Sequence, residues 1–197
     1  MSIDLTPAAR RLADLVAGVP DELLDAPTPC PDYRLGDLID HVAGLTLAFT
    51  AAARKDTGEA SGQGPRGDAA NLGSDWRQRI PRGLETLADA WADAAAWTGM
   101  TRIAGLQMPG QVAGLFALDE LVVHGWDVAR ASRQPYDCDP ASLGSVHELV
   151  AQFCGPGTEQ QRRGLFGPEV AVPDDAPLLD RVIGMTGRQP GWAPPAG

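Results

Sequence analysis

The chain has 197 residues, is 44% hydrophobic and carries a formal net charge of −10. That length and composition suit one core rather than two full domains, and the acidic balance excludes nucleic acid and anionic membrane surfaces as partners. No apolar run approaches the roughly 20 residues that a bilayer-spanning helix needs, so no membrane association is expected. The first residues, MSIDLTPAARRLADL, lack the charged-then-apolar pattern of a secretory leader, which points to a cytoplasmic protein. Cys30, Cys138 and Cys154 are odd in number and widely spaced, so they form neither a disulfide framework nor a paired-cysteine metal motif.

In chain order, Thr6-Pro7 reads as a helix start, with a capping hydroxyl and proline at the first helical position. Leu12, Leu15, Val16 and Val19 follow at helical spacing, and Gly18 marks the end. The stretch from Pro20 to Tyr33 is an irregular connection. A second helix is predicted from Leu35 to Ala53, with an apolar face of Leu38, Val42, Leu45 and Phe49 and with His41 beside that stripe. Residues 54–73 are Gly-rich and polar and read as a crossover. A third helix is predicted from Ser74 to Trp97, with Pro81 kinking or restarting it. Gly99 to Met108 reads as a short extended passage. The fourth helix, from Pro109 to Ser132, is the most apolar. A fifth segment, about 140–154, stops at Gly155-Pro156. A short helix from Leu178 to Thr186 closes the tail and is followed by Gly187. Strand signals are few. The expected fold is therefore all-α: a four-helix bundle over residues 1–155, with a tail over 156–197. Leu178, Leu179, Val182 and Ile183 give that tail one apolar face to pack on the bundle.

Glu120 and His124 stand four residues apart, on one face of the fourth helix. With Asp127 they fall within roughly 60° on a helical wheel. Asp119, Arg130 and Arg133 fall on a neighbouring arc, read as the solvent face. With His41 from a second helix, two imidazoles and a carboxylate can converge on one divalent metal. Three protein ligands leave a position open, as in catalytic rather than structural sites. The alternative is a plain Glu–His hydrogen-bonded pair at a bundle edge, and spacing alone favours neither. Asp127, one turn beyond His124, is placed to orient it through the free ring nitrogen, or is a helix-packing residue. Cys30, ahead of the second helix, reads as a buried structural thiol that could approach the metal end of the bundle. His147 begins HELVA, where Ala151 replaces the second histidine of a zinc-protease helix, so it reads as a surface residue. The glycines of GEASGQGPRG follow no strand, and no GxSxG elbow occurs.

Two stretches carry a family resemblance. PTPCPDYRLGDLIDHVAGL resembles the Cys-x-aromatic…Leu-x-x-His stretch of the DinB-like superfamily, with Tyr33 where a tryptophan is usual. ELVVHGWDVARAS resembles its Glu-x-x-x-His-Gly-Trp-Asp stretch, and the end, LLDRVIGMTGRQPGW, is similar to an actinobacterial, metal-binding branch. That branch is related to the N-terminal domain of mycothiol-dependent maleylpyruvate isomerase. The resemblance implies a DinB-like four-helix bundle with a long crossover, and it puts His41, Glu120 and His124 in register with the family's metal ligands. It also implies a small-molecule thiol such as mycothiol as cosubstrate and an electrophile as substrate. The reaction would be isomerisation or group transfer by a monomer or homodimer. Two His and one Glu suit zinc first, and also nickel, iron or manganese. The second functional reading is a non-catalytic metal- or ligand-binding module.

Overall fold

A computed structural model of the chain describes residues 2–56, 64 and 66–195. Much of the expected crossover, residues 57–63 and 65, lies outside the described residues. Among the described residues, helices dominate: α1 Thr6–Ala17, α2 Leu35–Ala53, α3 Trp76–Ala92, α4 Gly110–Ala131, α5 Pro140–Ala151, α6 Glu159–Arg162 and α7 Leu178–Met185. One hairpin, β1 Met100–Ile103 and β2 Leu106–Pro109, fills the passage between α3 and α4. Its two-residue turn, Ala104-Gly105, has positive φ at both positions (50° and 78°), the backbone that a tight antiparallel hairpin favours. No described helix is long and apolar enough to cross a membrane.

The helix ends follow local chemistry, with two departures from the sequence pattern. The first concerns α1. Its Thr6 hydroxyl makes no cap; the Asp4 carboxylate accepts from the Thr6 N–H at 2.9 Å instead. The second concerns α3, which runs unbroken through Pro81 and stops at Asp93 rather than at Trp97. Pro81 lies early in the helix, where the missing N–H forfeits a single ladder bond. Asp93 adopts an extended backbone, and its carboxylate accepts from the Ala95 N–H at 2.8 Å, starting a separate 3-10 turn over Ala94–Trp97. Helix α5 carries the expected start signals: Pro140 in its first turn, and Asp139 accepting from the Ser142 N–H at 2.9 Å.

Helices α1 and α2 each pack against both α3 and α4, which makes the four-helix bundle. Helix α5 packs on α4, and α7 packs on α5. The floor of the bundle is sealed by two tryptophans, whose ring centroids are 5.2 Å apart at 70°. The Trp91 indole N–H donates to the Phe49 carbonyl and that of Trp97 to the Trp91 carbonyl. Gly114 on α4 makes room for both: a β-carbon there would sit 2.6 Å from one Trp97 ring atom and 2.9 Å from one of Trp91. Helix α4 thus lies between α1, α2, α5 and the tryptophan floor, buried on most of its circumference. This corrects the expected solvent face at Asp119, whereas Arg130 is half-buried and Arg133 is exposed as expected. Asp119, placed there by the helical wheel, is buried to 5% exposure, because α5 and the tail cover an arc that a free bundle would leave open.

Candidate metal centre

His41 projects from the second turn of α2, and Glu120, His124 and Asp127 from successive turns of α4, its close packing partner. The structure brings the three expected ligands together. Glu120 Oε2 is 2.9 Å from His124 Nε2 and 3.9 Å from His41 Nε2. The rings of His41 and His124 meet edge to face, with centroids 5.1 Å apart. One donor atom from each residue lies within 4.8 Å of the other two. Bonds of about 2.0–2.2 Å to a tetrahedral ion set neighbouring donors roughly 3.3–3.6 Å apart. The 2.9 Å and 3.9 Å separations bracket that edge, so the donor set fits one divalent ion.

The surroundings hold each ring in place. His124 Nδ1 is 3.0 Å from Asp127 Oδ2, the carboxylate–imidazole contact that fixes a ligand histidine's tautomer. Tyr33 stacks on His41, with ring centroids 5.0 Å apart and planes 28° apart. Asp127 is wholly buried. It is gripped by Arg188 from the tail, whose Nε and Nη2 donate to its two oxygens at 2.8–3.1 Å. His147 stands apart on α5, where its Nε2 meets Arg181 Nη2 at 3.2 Å.

The electrostatics favour positive charge between the carboxylates. Burial works against the charged form of Glu120, but its hydrogen bonds to His124 and His41 hold its carboxyl well below the usual range. Burial likewise opposes protonation of His124, yet the Asp127 and Glu120 carboxylates outweigh it and push the ring up to about 9. Asp127 is desolvated too, and the Arg188 charge still keeps it ionised. Asp119 is the exception: burial, reinforced by the Glu120 charge, pushes it up to about 7. Its Oδ1 has no hydrogen-bond partner among the described residues.

A cavity of about 410 Å³ opens over the cluster. Cys30, Tyr33 and the three clustered residues line one side, and tail residues including Phe166, Gly167 and Arg188 line the other. Cys30 is buried there, and desolvation raises its thiol, opposed by the Arg188 charge. Two neighbours escaped the sequence reading as site residues. Tyr33 was visible only as the aromatic of the family motif, standing where a tryptophan is usual. Arg188 was signalled only by Gly187, the glycine that ends the last helix.

A bundle that presents two imidazoles and a carboxylate from facing helices at a cavity mouth defines a candidate metal-binding helical domain. The model of the mycothiol maleylpyruvate isomerase N-terminal domain matches residues 5–129, and the chain belongs to that family. Two curated relatives from Mycobacterium tuberculosis are each 30% identical over 189 residues, covering 89% of this chain and 91% of theirs. They are the uncharacterized proteins MT0763 of strain CDC 1551 / Oshkosh and Rv0738 of strain ATCC 25618 / H37Rv. The crystal structure of the mycothiol-dependent maleylpyruvate isomerase superposes with a TM-score of 0.57, over 77% of this chain and 72% of that one. At 17% identity this match establishes a shared fold.

Proposed function

We propose that the protein binds one divalent metal ion, zinc by preference, through His41, Glu120 and His124. On that footing it is a cytoplasmic thiol-dependent transferase or isomerase acting on a small electrophile. The observation that carries the reading is the convergence of three donor atoms within 4.8 Å at the base of a cavity of about 410 Å³, within the size range of small-molecule sites. A divalent ion bound there would lower the pKa of a thiol that reached it and so supply a nucleophile at neutral pH. The family points to mycothiol as that thiol.

The chain's own residues do the rest. Asp127 accepts the Nδ1 proton of His124, which leaves Nε2 facing Glu120. Tyr33 packs flat on His41 and limits the tilt of its ring. The tail supplies one wall of the cavity through Phe166, Gly167 and Arg188. In this reading residues 1–155 form the metal-binding bundle and residues 156–197 complete its mouth.

The test is metal analysis of the purified protein, followed by mycothiol titration of a cobalt-substituted form. Thiol binding at the metal produces a sulfur-to-metal charge-transfer band, and His124→Ala abolishes it. Bound cobalt with no spectral change at millimolar thiol refutes the thiol-dependent reading in favour of a non-catalytic metal-binding module.

A further inference from the structure

We propose that Arg188, from the C-terminal tail, is a positioning residue that fixes Asp127 and, through it, the ring of His124. The proposal rests on reading His124 as a metal ligand. It makes the tail a working part of the site rather than only a cover.

The geometry is a relay with one shared atom. Asp127 Oδ2 receives Arg188 Nη2 at 2.8 Å, Arg188 Nε at 3.1 Å and His124 Nδ1 at 3.0 Å, while Oδ1 receives Arg188 Nε at 2.9 Å. Contacts to both oxygens prevent the carboxylate from turning about its own axis, which a point charge would not do. The oxygen that meets His124 is thereby held in one place. Arg188 is placed in turn by the end of α7. Gly187 has φ 89°, and the Arg188 N–H donates to the Ile183 carbonyl at 3.1 Å, the glycine-ended reversal that re-aims the next residue. A β-carbon on Gly187 would lie 2.7 Å from the Gly167 backbone, so the two cavity-lining tail segments close on each other there. The sequence Gly187-Arg188 thus sends a guanidinium back to a carboxylate 61 residues away.

A purely structural ion pair would make a different demand. Buried pairs that serve packing alone are often replaceable at little cost, and nothing would require the gripped carboxylate to share an oxygen with His124. Here the fork and the imidazole meet at one atom.

The experiment uses the full chain with ¹⁵N-labelled histidine, in the wild type and in Arg188→Lys, Arg188→Met and Arg181→Met. Arg181→Met removes another contact between the tail helix and α5, the one to His147. Zinc affinity is measured by competition with a chromophoric chelator, and the histidine ring ¹⁵N signals are recorded without zinc. Arg188→Lys keeps a cation opposite Asp127 but loses the fork. It should bind zinc about 10- to 100-fold more weakly, the usual loss for a partner behind a metal ligand, and move the His124 signals but not those of His41. Arg188→Met should do the same more strongly; if it does not fold, Arg188→Lys decides. Arg181→Met should leave zinc affinity and the His124 signals unchanged, whatever its melting temperature. Folded Arg188→Lys with wild-type His124 signals overturns the proposal, as does equal loss in Arg181→Met. If the wild type binds no zinc, the metal reading fails. Arg188 is then judged on the ring signals alone, a shift of His124 upholding its role and no shift refuting it.

Discussion

Asp119 gives the sharpest test of how the site is built. Its carboxylate is buried, one oxygen lacks a partner among the described residues, and it is pushed up from 3.8 to about 7. An acid raised on folding destabilises the native state wherever the unfolded chain would ionise. Below pH 3.8 both states hold the proton and nothing is lost. Between 3.8 and 7 the cost grows, and above 7 it is constant. At about 1.36 kcal/mol per unit, the cost is roughly 2 kcal/mol at pH 5 and on the order of 4 kcal/mol at pH 8. Asp119→Asn keeps the shape and removes the ionisation. In the presence of a chelator, the variant's stability relative to wild type should therefore rise by roughly 2–3 kcal/mol from pH 5 to pH 8. Urea unfolding midpoints at four pH values measure it, and taking the difference cancels the other titrating groups. A wild-type-minus-variant difference that is flat with pH would refute the argument and place Asp119 in contact with water.

Three further outcomes follow from the packing and the ligand set. Zinc at about 100 times its Kd should add roughly 2.7 kcal/mol to stability; thermal melting should show that gain in the wild type and in His147→Ala and not in Glu120→Ala. Retention of the gain by Glu120→Ala, or its loss in His147→Ala, sinks the ligand assignment. Gly114→Ala drives a methyl against two tryptophan rings tethered by their indole N–H bonds. It should cost about 1–3 kcal/mol, or roughly 3–10 °C in a chain of this size; an unchanged melting curve would show that the rings can yield. Asp139→Ala removes the cap of α5 and should cost about 1 kcal/mol, read by the same denaturation midpoint; no loss would mean that water replaces the cap.

The elements most legible in the sequence are those set by one local rule. Helix α2 spans the predicted Leu35–Ala53 because its start, its apolar spacing and its Ala-rich end agree. The three clustered residues were visible because an i, i+4 pair obeys helical geometry wherever the helix goes, and because the family motifs put His41 in register with it. Asp119 was misplaced for the opposite reason. A helical wheel supposes one solvent face, and α4 has neighbours on most sides, so a charged residue beside the interior arc could not be told from a surface one. The break at Asp93 was hidden in an alanine-rich stretch whose helical propensity runs straight through it.

Arg188 was illegible for a deeper reason. No periodicity links it to Asp127, since the link depends on how a tail of short elements folds back over α4 and α5. What the sequence does contain is a helix end with glycine in the position where a left-handed turn reverses the chain. The bundle alone can gather two imidazoles and a carboxylate, because two facing helices suffice for that. Asp127 is fully buried there, and the Arg188 charge from the tail does most to keep it ionised, ahead of its bond to His124. The candidate ligand cluster and the tail are therefore one electrostatic unit, in which His124 meets Glu120 at one nitrogen and an Arg188-braced carboxylate at the other.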